Sequence, residues 1–159
     1  MGASEWSYVT PFLGDVAGSL RELQEKVLRD GDYYWSDDFE EYTPRPGSLE
    51  VLWASDDRWN SGTHSILDVD RVVASTDPPD WRDGAAYGAV RPVTEEAAVR
   101  IFGTPRSSRA QFEAAADDCA SPRHAELIAE VTMRWTGLYI LLREGDRVTE
   151  VGFWGFSGD

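Results

Sequence analysis

The sequence predicts an α+β fold: a single domain over residues 1–159, with helices packed on a small, mainly antiparallel sheet and a C-terminal β-hairpin. Three observations lead to this prediction: an amphipathic helical pattern near the N-terminus, further helix signals in the second half, and a hairpin pattern at the end. A chain of 159 residues buries about two thirds of its unfolded surface, which is enough for a core without disulfides.

The first helix is predicted to run from Thr10-Pro11 to Gly31. A threonine hydroxyl caps free helix amides, proline is favoured at the first helical position, and glycine favours the left-handed conformation that ends a helix. Apolar residues in between recur every three or four positions and therefore share one face. They are Leu13, Val16, Leu20, Leu23 and Val27. We expect this face to pack against the protein's own core.

The middle of the chain gives weaker signals. Residues 33–35 are compatible with a short strand, and Ser48 can cap a short helix. Residues 63–74 alternate and are rich in β-branched side chains, which predicts a strand. The Asp-Pro-Pro-Asp and Asp-Gly sequences that follow predict a loop, and the length of this loop suggests mobility or a function.

The second half contains two helical regions. Thr94 can cap a helix over residues 95–102, which Gly103 ends. A further helical region is divided at Ser121-Pro122, and its second half is predicted to run from residue 123 to about residue 134. These helices would pack on the sheet.

The C-terminal residues predict the hairpin. Residues 138–143 form a nearly continuous apolar run, and residues 144–146 have the composition of a turn. Residues 147–156 then alternate between two faces, as a strand with one buried side does.

The composition is strongly acidic. Asp and Glu number 29 against 15 Lys and Arg, which gives a formal net charge of −14. This excess repels phosphate backbones and anionic lipids, and the arginines form no compact basic patch. We therefore expect no direct binding to nucleic acid or to a membrane. Solubility or adaptation to salt would explain the acidity as well as a binding role does.

The N-terminus and the cysteine content predict a cytoplasmic protein. The first residues contain neither a basic region nor an apolar stretch of signal-peptide length, and the longest apolar run, residues 138–142, is too short to cross a bilayer. Cys119 is the only cysteine. It can form no internal disulfide and can share no zinc ion with a second thiolate.

Residues 30–83 combine negative charge with aromatic side chains. They contain 14 acidic residues and 4 arginines, a local excess of 10 negative charges. Within residues 33–42, aromatic rings alternate with carboxylates, which offers long-range attraction to a cation and short-range stacking. We predict that this segment binds a basic protein partner. The proposed contact residues are Tyr34, Trp35, Asp37, Asp38, Phe39, Glu40 and Glu41.

The chain contains seven tryptophans, several times what its length would ordinarily hold. Trp135 and Trp154 adjoin apolar strands and are predicted to lie in the core. Four others lie among acidic and turn residues, where large rings are hard to bury and where binding sites often have aromatic anchors. They are Trp35, Trp53, Trp59 and Trp81. Alternatively, these four tryptophans cover the core beneath irregular loops.

His64, Asp68 and Asp70 are the sequence-local candidates for a catalytic or metal site. On a strand they would share one face, where an imidazole and two carboxylates can bind a divalent metal or carry out acid–base chemistry. Ile66 would interrupt that face, however, and no fourth ligand is evident. We therefore expect ordinary surface residues here and predict no metal site.

The remaining reactive residues give little support to catalysis. His124 lies near the start of a helix, where the helix dipole disfavours a cation, so it is either a general base or a structural histidine. Cys119 follows Asp117 and Asp118, whose negative charge disfavours a thiolate. The chain contains no Gly-x-Ser-x-Gly, Gly-x-x-x-x-Gly-Lys-Ser/Thr or Gly-x-Gly-x-x-Gly sequence. We therefore predict no nucleophilic cysteine and no cofactor.

Two segments carry a resemblance. Residues 6–12 (Trp-Ser-Tyr-Val-Thr-Pro-Phe) and 62–68 (Gly-Thr-His-Ser-Ile-Leu-Asp) resemble segments of small, acidic, uncharacterised actinobacterial proteins. The resemblance follows the same order over most of the chain and implies no activity or site. In composition alone, the chain is also similar to immunity proteins that neutralise basic toxins.

The leading hypothesis is a non-enzymatic protein-binding module, an inhibitor or immunity factor, whose acidic aromatic segment engages a basic partner. The alternative is a small-molecule enzyme or ligand binder with a pocket between the sheet and the helices, lined by the four candidate tryptophans. In that alternative His64, Asp68 and His124 supply the polar groups.

Overall fold

A computed structural model describes residues 3–36 and 44–158 of the chain. Within these residues the chain forms five strands and six α-helices. The strands are β1 (Glu5–Pro11), β2 (Arg71–Val72), β3 (Ala89–Pro92), β4 (Thr136–Glu144) and β5 (Arg147–Phe156). The helices are α1 (Val16–Asp30), α2 (Leu49–Trp53), α3 (Asp56–Ser61), α4 (Glu95–Phe102), α5 (Arg109–Ala116) and α6 (Pro122–Ala129).

The five strands form one mixed sheet in the order β1-β5-β4-β3-β2. β4 and β5 form an antiparallel hairpin and β1 is antiparallel to β5, whereas β3 is parallel to β4 and β2 is parallel to β3. The combination of helices with strands and the C-terminal hairpin are confirmed. The prediction of a mainly antiparallel sheet is wrong, because α4, α5 and α6 connect β3 to β4 and such a crossover returns the chain in the same direction.

Helices cover both faces of the sheet. Successive side chains of a strand point to opposite sides, so one strand can pack against helices on both faces. Phe153 of β5 packs in an apolar cluster with α1, α2 and β1. Its neighbour Trp154 packs in a second cluster with α4, α5 and α6. Trp135 and Trp154 are both buried, as predicted. The core therefore consists of two apolar layers, one on each side of the sheet.

The first helix begins later than predicted. Thr10 and Pro11 belong to β1, and the helix starts after Asp15, whose side chain accepts a hydrogen bond from the Gly18 amide. Leu13, predicted to lie on the buried face, is 56% exposed because it precedes the helix. The predicted end at Gly31 is confirmed, with this glycine in the left-handed conformation (φ 69°).

Residues 63–74 do not form the predicted strand. They form a 3-10 turn over Ile66–Asp68 and the two-residue strand β2. The Ser65 hydroxyl begins the turn by accepting a hydrogen bond from the Leu67 amide at 3.2 Å. Residues 65–69 are all buried, which contradicts the expected alternation between core and solvent.

The other predicted elements agree more closely with the structure. α4 is confirmed, with Thr94 as its N-cap and Gly103 as its C-cap. The divided helical region is present, but its second half ends at Ala129 rather than near residue 134. Residues 33–35 form no strand. No helix of the described residues is both long enough and apolar enough to cross a membrane.

The Trp6 ring lies across two neighbouring strands at positions where both carry glycine. Gly155 of β5 pairs with Trp6 on one side and with Gly137 of β4 on the other. A Cβ atom on Gly137 would lie 2.6 Å from the Trp6 ring, and a Cβ on Gly155 would overlap it. Because Gly137 and Gly155 have no side chains, the buried Trp6 indole fits against both strands.

We expect Gly155→Ala to lower the free energy of unfolding by about 1–3 kcal/mol, the usual cost of overpacking a core. Gly47→Ala is the matched control, because a Cβ there has no neighbour within 4 Å, and it should change stability by less than about 0.5 kcal/mol. Urea unfolding followed by tryptophan fluorescence measures both. Equal effects of the two substitutions would contradict the proposed packing of Trp6.

Candidate functional site

The predicted contact residues divide into three groups. One group lies outside the described residues: Asp37, Asp38, Phe39, Glu40 and Glu41. Trp35 packs in the core, and Trp53 is half-buried with its indole N–H donating to the Leu67 carbonyl at 3.2 Å. These two rings cover the core and are not surface anchors. The exposed rings are Tyr34, Trp59 and Trp81, with exposed fractions of 40%, 42% and 67%.

Tyr34 stacks on His64. Their ring centroids are 4.6 Å apart and their planes differ by 16°. The Tyr34 amide donates to the Thr63 carbonyl at 2.8 Å, and the His64 amide donates to the Ser157 hydroxyl at 3.1 Å. His64 has a φ of 53°, an uncommon value for a residue with a side chain. The tyrosine is thus held on a tightly bonded loop.

Trp59 packs against Trp135 with ring centroids 5.0 Å apart. The guanidinium of Arg58 lies 4.5 Å from the centre of the Trp59 ring. Gly158 lies so close to the Trp135 indole that a Cβ atom would overlap it. Because Ser157 bonds the loop that carries His64, residues 157 and 158 connect the two aromatic pairs.

The loop that carries Trp81 is also tied to Trp135. The Tyr87 hydroxyl donates to the Trp81 carbonyl at 3.3 Å, and the adjacent Gly88 amide donates to the Trp135 carbonyl at 2.7 Å. The guanidinium of Arg82 lies 5.0 Å from the centre of the Trp81 ring. Both exposed tryptophans therefore lie against a cation, a contact that the ring quadrupole favours.

The Asp68 carboxylate is fully buried between these elements. It accepts hydrogen bonds from the Thr63 amide at 2.7 Å and from the Ser157 hydroxyl. Gly62 adopts φ 70° and ψ 163°, a region that essentially only glycine occupies, and a Cβ there would lie 2.5 Å from Ser157 Oγ. Burial raises the pKa of Asp68, while these hydrogen bonds and the charge of Arg58 oppose the increase.

Arg58 is buried and bonded within the protein. Its Nη2 donates to the Asp68 carbonyl at 2.7 Å and lies 3.2 Å from the Asp70 carboxylate. Asp70 also pairs with Arg71 at 2.7 Å. Burial lowers the pKa of Arg58, and the attraction of Asp70 acts in the opposite direction. This pair therefore fixes the chain between α3 and β2.

The structure separates His124 from the other catalytic candidates, and it connects the His64 amide to the Asp68 carboxylate through the Ser157 hydroxyl. His64, Asp68 and Asp70 share no strand face, because their segment is a turn. Asp68 is bonded internally, and Asp70 is paired with arginines. His124 belongs to another region, where its Nδ1 is 3.1 Å from the Ala115 carbonyl and its Nε2 is 3.3 Å from Glu5.

The larger cavities lie away from the exposed tryptophans. One of about 440 Å³ lies beside Thr94 and Tyr139, and another of about 500 Å³ lies between α1 and α2, beside Arg21 and Leu49. Among the described residues, neither these nor three smaller cavities have a candidate tryptophan in their lining.

The buried Asp68 predicts a pH dependence of stability. The unfolded chain releases this proton at an ordinary aspartate pKa of about 3.9, whereas the folded chain keeps it to higher pH. Between these two values the unfolded state binds fewer protons, so the contribution of Asp68 to stability falls as pH rises. An asparagine side chain does not ionise, so Asp68→Asn removes this loss of stability with rising pH.

The stability of Asp68→Asn relative to the native chain should therefore increase as the pH rises above about 4, by about 1.4 kcal/mol for each pH unit by which folding raises the pKa. Urea unfolding at several pH values measures the difference. Asp77→Asn, at an exposed carboxylate, is the control and should follow the native chain. A difference independent of pH would contradict the burial argument.

The region offers exposed aromatic rings and carboxylates on loops that internal hydrogen bonds hold in place. The ionisable groups buried within it, Asp68 and Arg58, are bonded to the protein itself. Comparison of the chain with protein-family models, with curated proteins and with solved structures finds no match.

Proposed function

We propose that the chain is a non-enzymatic protein-binding module of the inhibitor or immunity type that engages a basic protein partner through an acidic aromatic surface. The rings of this surface are Tyr34, Trp59 and Trp81, and its carboxylates are Asp32, Asp56, Asp57, Asp80 and Asp83. One observation carries the proposal: each exposed ring has at least one of these carboxylates within three positions along the chain, and none of the five pairs with a cation among the described residues.

The carboxylates of this surface differ in ion pairing from acids elsewhere in the described residues. None of the five forms an ion pair with another described residue. Acids elsewhere in the chain are often paired. Arg100, for example, binds Glu126 at 2.9 Å and Glu130 at 2.5 Å. Ion pairs thus balance part of the negative charge around α4 and α6. The five carboxylates beside the exposed rings have no such pair among the described residues.

A basic partner fits both components of this surface. An arginine can pair with a carboxylate and stack on an aromatic ring at the same time. The guanidinium groups of Arg58 and Arg82 already lie over Trp59 and Trp81, so these rings are positioned for cations. Unpaired carboxylates also accelerate the approach of a cationic partner, an effect that salt screens.

The alternative of a small-molecule enzyme or ligand binder has less support. It requires a tryptophan-lined pocket in which His64, Asp68 and His124 converge. The five cavities described above have no candidate tryptophan in their lining, and His124 lies beside Glu5 rather than beside Asp68.

The proposal is tested by removing four charges from the surface with Asp56→Asn, Asp57→Asn, Asp80→Asn and Asp83→Asn together. Asparagine keeps a side-chain oxygen that can accept the hydrogen bonds of the original carboxylates. We expect the native chain, immobilised on a resin and incubated with a lysate, to capture a basic protein, and we expect added salt to reduce this capture. The quadruple variant should lose at least about tenfold in affinity for that protein once it is identified, because several exposed charges act within one Debye length of about 8–10 Å.

A second quadruple variant with the same change in net charge is the control: Glu95→Gln, Glu96→Gln, Asp117→Asn and Asp118→Asn. These four residues are exposed and lie in α4 and after α5. The control should bind the identified partner as the native chain does. Equal losses in both variants would show that total charge alone attracts the partner, and unchanged binding by the first variant would exclude the proposed surface.

A further inference from the structure

We propose that Glu5, Cys119 and His124 form a binding site for one divalent transition-metal ion of the zinc class. Glu5 begins β1, Cys119 lies between α5 and α6, and His124 lies in the first turn of α6. One potential ligand atom of each residue lies within 4.8 Å of the other two. Among the residues that the structure describes, this is the only such group of three His, Cys, Asp or Glu side chains.

The separation between His124 and Glu5 suits tetrahedral coordination. Zinc binds nitrogen and oxygen at about 2.0–2.2 Å and sulfur at about 2.3 Å, so neighbouring ligand atoms in a tetrahedron are about 3.3–3.7 Å apart. His124 Nε2 and Glu5 Oε1 are 3.3 Å apart. The Cys119 side chain is exposed, and its sulfur belongs to the set of ligand atoms that lie within 4.8 Å of one another.

The hydrogen bond on the other side of the imidazole prepares Nε2 for a metal. His124 Nδ1 lies 3.1 Å from the Ala115 carbonyl, which can only accept, so Nδ1 carries the hydrogen. Nε2 then directs its lone pair toward the Glu5 carboxylate, 3.3 Å away, so that a metal ion can accept a donor atom from each residue. Histidines that bind metals typically donate their other N–H to a backbone carbonyl in this way.

The ligand types select the metal. A thiolate and an imidazole favour zinc and related transition metals over magnesium or calcium, which prefer oxygen ligands alone. The thiolate and the carboxylate together balance the charge of a divalent ion. Asp117 and Asp118, which disfavour a free thiolate, add negative potential that favours a bound dication.

Space for a further ligand is present. A cavity of about 170 Å³ is lined by Glu5 and His124 together with Trp6, Ala116 and Leu127. Three protein ligands with an open fourth position are the arrangement in which zinc retains a water molecule. The cavity adjoins Glu5 and His124, so a water molecule in it is the candidate for the fourth ligand.

The site is tested with cobalt as a spectroscopic substitute for zinc. We expect the chelator-treated chain to bind one equivalent of Co²⁺ with a thiolate-to-metal charge-transfer band and the visible bands of tetrahedral coordination, and Zn²⁺ to displace it. Cys119→Ser should lose the charge-transfer band. Cys119→Ser and His124→Gln should each weaken Zn²⁺ binding by at least about tenfold, the lower end of the cost of losing even an outer-shell partner. Zn²⁺ should also raise the Tm of the native chain more than that of either variant.

His64→Gln is the matched control, since the chain has two histidines and His64 lies outside the group. It should bind Co²⁺ and Zn²⁺ as the native chain does, and circular dichroism verifies that all variants are folded. The proposal is overturned if the native chain gives no charge-transfer band or if His64→Gln weakens binding as much as His124→Gln. It is also overturned if one metal ion binds per two chains, because the thiol would then bridge two molecules.

Discussion

The hydrogen bonds of the buried Asp68 carboxylate hold together the region that carries the exposed aromatic rings. The Thr63 amide fixes the loop after α3, and the Ser157 hydroxyl fixes the residues after β5. From Ser157 the contacts extend to His64, while the next residue, Gly158, packs on Trp135. Burying a carboxylate costs free energy unless donors compensate it. The geometry of these loops therefore depends on a polar contact rather than on regular secondary structure.

Elements whose signals are local were predictable from the sequence. The cap residues Thr94 and Gly103 mark the ends of α4 because capping involves only the first and last turns of a helix. The hairpin of β4 and β5 was also predictable, because its two strands are neighbours in sequence and a short turn joins them. β1 and β3 were not predicted, because each pairs with a strand distant in sequence.

The candidate site was predictable only in its composition. Exposed rings at Trp59 and Trp81 follow from their acidic, turn-rich surroundings, but Trp35 lies in similar surroundings and is buried. The contact between Asp68 and Ser157 joins residues 89 positions apart, so spacing within residues 63–70 could not reveal it. The grouping of Glu5 with His124 likewise depends on the place of β1 in the sheet.

The position of β1 also has a consequence for synthesis on the ribosome. Of the five strands described here, β1 is made before the other four, and its partner β5 is made after them. At about 5–20 residues per second, the segment with Trp6 stays without its partner strand for roughly 7–30 s. The sheet and the loop fixed by Ser157 can close only after residue 158 has left the exit tunnel. The net charge of −14 makes copies of the chain repel one another, and repulsion of this kind opposes the aggregation of an unpaired edge strand.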